Sequence, residues 1–229
     1  KIQSLITERA NWAHKVRAAK GDLKAAVEYY RPERESQILR RVLDRNEGPL
    51  SNEVLLRLFR EIMSACLAQQ EPLKVGYLGP EGTFSQQALH KHFGHSAQSL
   101  PLASIEEVFQ EIESGHADFG VVPVENSGQG TIQSTLDMFL TSKLKICGEV
   151  ELRVHQHLLS RTGRMEDIER VYSHPQSLAQ CKAWLRQHLP HAEKIPVSSN
   201  AEAARRARVA DDCAAIAGET AGYVYGLKV

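Results

Sequence analysis

Two groups of residues in this 229-residue sequence have the types and spacing to hold a small anion. The first is the run GPEGTFS, Gly79 to Ser85, between the apolar stretch VGYL and a helical pattern. A tight glycine turn at a helix start presents backbone N–H groups and the positive end of the helix dipole. These serve a carboxylate as well as a phosphate. The run lacks the Gly-Lys-Ser/Thr ending of a P-loop, and its glycines do not make G-x-G-x-x-G, so the nucleotide signal is weak. The second group is mainly cationic. Arg9 and Lys20 are eleven residues apart, about three helical turns, and so point the same way. Arg34 and Glu35 lie near the start of a second helical stretch, and Cys66 and Gln70, at i and i+4, share a face of a third. Cationic and amide groups from three helices could converge on a small dianion. Taken singly, each reads more readily as a solvated surface charge or an ordinary core cysteine than as a ligand, so the case rests on the set.

The elements that must position these groups change character along the chain. Up to about Gln70 the pattern is helical: Ile2, Leu5, Ile6, Trp12, Ala13 and Val16 keep helical spacing, with a break at Gly21-Asp22. Pro32 suits the first turn of a second helix through Ile38, Leu39, Val42 and Leu43. Ser51 is the N-cap expected for a third, carrying Leu55, Leu58, Phe59, Ile62 and Met63. An all-helical module this small is expected to dimerise. Beyond Glu71-Pro72-Leu73, runs rich in β-branched residues (KVGYL, DFGVVPV, KICGEVELRV, ERVYSH, KIPVS, CAAIA) alternate with helical stretches (SIEEVFQEIESG, TIQSTLDMFLTS, LAQCKAWLRQHL, NAEAARRARVA). That alternation predicts an α/β domain with mainly parallel sheets. Two strand ends carry polar clusters, Glu125-Asn126-Ser127 and Ser173-His174-Pro175-Gln176, where open α/β sheets bind ligands. His174 by itself reads as a turn residue more readily than as a catalyst.

Composition sets wider bounds. Apolar and charged fractions of 42% and 24% are those of a globular protein. Lys+Arg and Asp+Glu both total 28, so overall charge points to neither nucleic acid nor a membrane surface. No apolar run approaches the roughly 20 residues of a membrane helix, and the start has no secretory pattern. Cys66, Cys147, Cys181 and Cys213 are scattered without metal-ligand spacing, so reduced thiols in a cytoplasm are expected, with no metal. The sequence begins without Met inside a helical pattern and stops at GYVYGLKV, which reads as a portion of a longer polypeptide.

ITERANWAHKVRAAK, followed by YYRPERESQILRRV and LFREIMSACLAQQ, resembles the all-helical chorismate mutase domain of bifunctional chorismate mutase–prephenate dehydratases. The resemblance implies a site lined by Arg9, Lys20, Arg34, Glu35 and Gln70. Cys66 stands where some members have Ser, and Arg31 where some have Asp. It also implies that chorismate rearranges to prephenate within one molecule, without nucleophile, metal or cofactor. Catalysis then rests on holding the reactive conformer and stabilising charge on the breaking ether oxygen. Arg9 and Arg34 would clamp the two carboxylates, Lys20 and Gln70 would donate to the ether oxygen, and Glu35 would accept from the substrate hydroxyl. A neutral Gln70 donates at any pH, so a weakly pH-dependent rate is expected. The family's first helix begins earlier, with an Arg that reaches the partner's site. Without that segment, mutase activity is expected to be impaired.

GPEGTFS, the VVPVENS run with its following TLDMF, SHPQSLAQC and AAIAGETAGYVYGL resemble prephenate dehydratase nearly continuously from Lys74 to Val229. The resemblance implies two α/β lobes around a cleft, like a periplasmic binding protein, and conversion of prephenate to phenylpyruvate with loss of water and carbon dioxide. It puts Thr83 and Ser85 on a substrate carboxylate and Glu125, Asn126 and Ser127 along the cleft, with Ser173, His174 and Gln176 facing them. The expected division is a helical domain over 1–71 and a dehydratase domain over 74–229. Within the latter, lobe 1 spans about 74–148 and lobe 2 about 149–222, and a return to lobe 1 would follow. The family's catalytic Thr lies in a Thr-Arg-Phe motif that this sequence lacks, so dehydratase activity is expected to be absent or very low. Chorismate and prephenate are the expected partners, with a homodimer formed through the helical domain. The rivals are a non-catalytic small-carboxylate-binding module and a helical dimerisation domain on a ligand-responsive regulator.

Overall fold

The computed structural model describes residues 1–20, 30–126 and 130–229; Ser127 and the side chain of Lys20 lie outside the described residues. Three helices come first: α1 (Ile2–Lys20), α2 (Pro32–Asp44) and α3 (Asn52–Ala68). Pro32 occupies the first turn of α2, where its missing N–H costs nothing. Ser51 caps α3 by accepting the Val54 amide at 3.4 Å. Helix α3 lies against both α1 and α2. The module buries little: α2 has no buried residue, and α1 leaves Ile2, Leu5 and Trp12 at 77, 63 and 57% exposure.

The α/β portion follows with β1 (Lys74–Leu78), α4 (Phe84–Phe93), β2 (Gln98–Leu102), α5 (Ile105–Glu113) and β3 (Phe119–Val121). After these come β4 (Glu125–Asn126), β5 (Gly130–Thr131), α6 (Gln133–Thr141), β6 (His157–Ser160) and β7 (Arg170–Ser173). The last elements are α7 (Pro175–Gln180), α8 (Lys182–His188), β8 (Glu193–Pro196), α9 (Asn200–Ala207), β9 (Cys213–Ala217) and α10 (Glu219–Tyr225). The sheets have strand orders β2-β1-β3, β4-β5 and β6-β9-β7-β8. In the last, β7 runs parallel to both β8 and β9, while β6 is antiparallel to β9.

Three expectations about elements need correction. LAQCKAWLRQHL is broken at Cys181, with φ −92° and ψ 4°, into α7 and α8. KICGEVELRV forms no strand; its β-branched residues have no ladder partner among the described residues, and Ile146 is 71% exposed. Helix α3 ends at Ala68, so Gln70 lies in the closing turn, its amide bonded to Leu67 O at 2.8 Å, rather than on the helix face with Cys66.

Contacts group the chain into two units. One comprises Lys1–Gly76, Ala88–Leu100 and Val108–Val150; the other comprises Tyr77–Gln87, Pro101–Glu107 and Glu151–Val229. Within the first, the helical module meets the end of α4. Ser64 of α3 packs on Gly94, whose φ of +78° and 2.5 Å clearance from a Cβ position both demand glycine. Tyr30, Phe93 and Phe119 form an aromatic triangle with ring centroids 5.2–5.6 Å apart. Within the second, β9 is buried throughout and alternates by face. Cys213, Ala215 and Ala217 meet the alanines of α9, while Ala214 and Ile216 meet Val171, Leu185 and Leu189. Alanines on both surfaces let α9 lie close to the sheet.

Candidate functional site

The residues expected to hold a dianion lie on or next to the first three helices, but the chain treats them differently. Arg9, Arg31 and Arg34 are exposed, Gln70 is half-buried and Cys66 is buried. Arg17 ties α1 to the end of α3 by donating to Gln69 O at 3.2 Å. Glu35 is the member with a defined environment. Its carboxylate lies 3.6 Å from Arg60 Nε and accepts a hydrogen bond from the Tyr30 hydroxyl. Burial raises its pKa, with Tyr30 and Arg60 pulling the other way. The same burial, with the Glu35 charge beside it, raises that of Tyr30. Arg60 escaped the sequence reading because its role depends on a partner 25 residues away across two helices.

The GPEGTFS loop is fixed from inside. Thr83 Oγ1 donates to Leu78 O at 3.2 Å and accepts the Gln86 amide at 3.4 Å, acting as the N-cap of α4. Gln86, 6% exposed, reaches back to accept the Gly82 amide at 2.6 Å. This is a variant of the capping box, and T-x-x-Q was its signal in the sequence. Gly82 has φ +85°, and a Cβ there would stand 3.1 Å from Ala221 Cα. The Tyr225 hydroxyl donates to Glu81 O at 3.1 Å, and Phe84 packs on Gly218. The Thr83 proton is therefore already engaged. What remains for an anion is the backbone of the first helical turn and the half-buried Ser85.

At the end of β7, Ser173 is fully buried. Its hydroxyl lies 2.8 Å from Ile216 O, which accepts its proton, and 2.9 Å from Asn200 Oδ1. Asn200 Oδ1 also accepts the His174 amide at 3.1 Å, while Asn200 Nδ2 donates to Ser177 Oγ at 2.9 Å. Gln156 donates to the same Ser177 at 3.2 Å. His174 caps α7, its Nδ1 accepting the Gln176 amide at 3.4 Å. This geometry makes Ser173 and Asn200 the frame, and leaves the half-buried His174 and Gln176 as the accessible members. Neither Asn200 nor Ser177 was singled out from sequence; Asn200 read simply as the first residue of a helical stretch.

Two members of the third cluster lie on a short antiparallel strand pair, Glu125 opposite Thr131 and Asn126 opposite Gly130. Glu125 is exposed and Asn126 half-buried. The strand end leading to them is held by Thr135, fully buried, which donates to Pro123 O at 2.7 Å. Among the described residues, no group of His, Cys, Asp and Glu is arranged to hold a metal ion.

A helical module followed by an α/β portion, with polar loops at strand ends and helix starts, defines a two-part chain. Residues 1–71 match the profile of chorismate mutase type II and residues 75–229 that of prephenate dehydratase. The chain belongs to the prephenate dehydratase family, with a chorismate-mutase-type segment ahead of it. It is 54% identical over its whole length to a bifunctional chorismate mutase/prephenate dehydratase of Stutzerimonas stutzeri, and 53% identical to one of Pseudomonas aeruginosa. The chain spans 64% of the length of each. Among solved structures, the prephenate dehydratase of Arthrobacter aurescens in complex with L-Phe is similar, at TM-score 0.56 and 32% identity. That match covers 69% of this chain and 54% of the other.

Proposed function

We propose that this chain takes part in two consecutive reactions of phenylalanine biosynthesis. Its helical segment rearranges chorismate to prephenate, and its α/β segment contributes to converting prephenate to phenylpyruvate, water and carbon dioxide. The observation that carries this reading is the pair of abutting family matches, 1–71 and 75–229, in a chain 54% identical throughout to a relative named for both activities.

The first reaction needs shape and charge. Chorismate carries two carboxylates, and the exposed Arg9 and Arg34 suit bidentate pairing with them. Lys20 and Gln70 donate to the ether oxygen as it gains charge, Glu35 accepts from the ring hydroxyl, and Arg31 and Cys66 line the remaining wall. A single copy leaves Arg9, Arg31 and Arg34 open to solvent, and the exposed apolar residues of α1 support a homodimer that covers them. In the second reaction, departure of carbon dioxide supplies the electron pair that expels the ring hydroxyl, which must gain a proton to leave as water. The first turn of α4 with Ser85 binds carboxylate beside the engaged Thr83. Glu125, Asn126 and Ser127 line a cleft between two lobes, about 74–148 and 149–222, in the manner of a periplasmic binding protein. His174, its amide held by Asn200 Oδ1 at 3.1 Å, and Gln176 contribute from the end of β7. No described helix is long and apolar enough to cross a membrane, and a cytoplasmic setting fits these substrates.

Loss of chorismate absorbance is the direct test. Turnover well above the uncatalysed rate, lost in Arg9→Ala and Arg34→Ala, is expected. An unchanged rate in both variants removes the mutase reading, and a purely binding module would give saturable binding without turnover.

A further inference from the structure

Arg60 lies outside every residue group assigned to chorismate, yet its guanidinium joins two parts of the chain that the family matches separate. Its Nη1 donates to the backbone carbonyl of Lys91 at 2.9 Å, near the end of α4. Its Nε stands 3.6 Å from Glu35 Oε1, in a pair whose side chains are 22 and 17% exposed. That Nε is buried and has no hydrogen-bond acceptor among the described residues. A buried donor left this way is costly, and a carboxylate displacement of well under about 1 Å would satisfy it.

We propose that Arg60 is a positioning residue for the mutase reaction, aiming Glu35 while braced on the Lys91 carbonyl, so that the α/β segment sets the geometry of the mutase site. The inference rests on the chorismate reading above. One arm of the guanidinium is fixed by α4, which leaves the Nε edge facing Glu35. Arg suits the task because its planar fork carries both donors in a fixed relation, which the single ammonium of Lys cannot reproduce. Further contacts bind the same two segments. Glu61 of α3 holds His95 through Nδ1 at 2.7 Å and through the amide at 3.2 Å, and Tyr30 is packed between Phe93 and Phe119.

The groups facing Glu35 are Tyr30, from the segment before α2, and Arg60 of α3. Behind them, His92 of α4 lies near Arg60 and Cys147 near Tyr30. Glu35 accepts a substrate hydroxyl as a carboxylate, so the mutase rate falls on acidification through its titration. Burial moves that titration upward and the Arg60 charge opposes the move.

The test is the pH profile of kcat/KM for chorismate in wild type, Arg60→Gln, Arg60→Lys and Glu35→Gln. The midpoint of an acid limb does not depend on how much of a variant has folded, so partial misfolding does not obscure it. In Arg60→Gln the limb is expected to move up by about one pH unit. In Arg60→Lys it stays near wild type, while kcat/KM falls because the brace on Lys91 is lost. An Arg60→Gln limb superimposed on wild type, with Glu35→Gln inactive, overturns the positioning role and leaves the chorismate reading standing. A fully active Glu35→Gln instead overturns the acceptor role of Glu35 and this inference with it.

Discussion

The amide oxygen of Asn200 lies 2.9 Å from the hydroxyl of the fully buried Ser173 and accepts the backbone N–H of His174 at 3.1 Å. One side chain at the start of α9 thus fixes the end of β7 and, through Ser177, the first turn of α7. Asn200→Ala leaves these buried groups without that partner. It is expected to cost about 1–3 kcal/mol in urea unfolding, since unmade buried hydrogen bonds carry the full desolvation penalty. A cost below about 0.5 kcal/mol would show that the frame holds without Asn200.

Gly82 has a left-handed φ of +85° and stands against α10, whereas Gly115 has φ +75° with open space around it. Replacing either with Ala forces a side chain into an unfavourable backbone region, at roughly 1–2 kcal/mol. At Gly82 the new methyl would also press on Ala221 and Tyr225. Gly82→Ala should therefore be less stable than Gly115→Ala by about 1 kcal/mol or more in paired denaturation curves. Equal costs would mean that the GPEGTFS loop is not seated on α10.

Features fixed by neighbours in sequence were legible; features fixed by distant partners were not. Pro32 and Ser51 announced helix starts because their effect acts within one turn. Strand β2 was missed because Pro101 interrupts its pattern, which an edge strand tolerates since the lost N–H need not pair. LAQCKAWLRQHL kept helical periodicity through Cys181, although the backbone there leaves the helical region. At the candidate site, residue types such as Arg9 and Ser85 could be picked out by spacing. The roles of Arg60 and Asn200 come instead from packing that brings Glu35 and Ser173 to them. Thr83, expected on a substrate carboxylate, has its hydroxyl turned inward as a cap.

Glu202 gives a pH-dependent contribution with a defined sign. Arg205 and Arg206 both donate to its carboxylate at 2.6–2.8 Å, and these hydrogen bonds lower its pKa to about 2. A lowered folded-state pKa stabilises the fold above the unfolded value near 4.5, and the effect disappears as pH falls toward 2. Both arginines are half exposed, so screening holds the contribution to about 1 kcal/mol or less. Glu202→Gln should unfold slightly earlier than wild type at pH 7, with the two urea midpoints converging by about pH 2–3. A gap that stays constant with pH would rule out the ion pairs as its source.

The apolar stripe of α1 makes the oligomeric reading testable. Leu5 and Trp12, seven residues apart and mostly exposed, lie on one face of the helix. In a homodimer they are covered, and a carboxylate placed there loses hydration without gaining a partner. Sedimentation should show a wild-type dimer and, for Leu5→Glu, a dissociation constant raised at least about tenfold. A wild-type chain that sediments as a monomer at all accessible concentrations would contradict this.

Gln70 carries the last prediction, and its sign is opposite to that of Glu35. In the role proposed for it, an amide donor to the ether oxygen acts at every pH and would impose no loss of rate as pH rises. In Gln70→Glu the same donation requires a protonated carboxyl, whose ordinary pKa is about 4.3. Above the Glu35 limb the variant should therefore lose mutase rate by about tenfold for each further pH unit, while wild type stays level there. Glu35, in its proposed role as a carboxylate acceptor, would in contrast limit both proteins on the acid side. The two limbs separate the roles in one set of kcat/KM measurements. A Gln70→Glu profile parallel to wild type would remove Gln70 from the ether oxygen, since a donor and an acceptor cannot serve that position equally well.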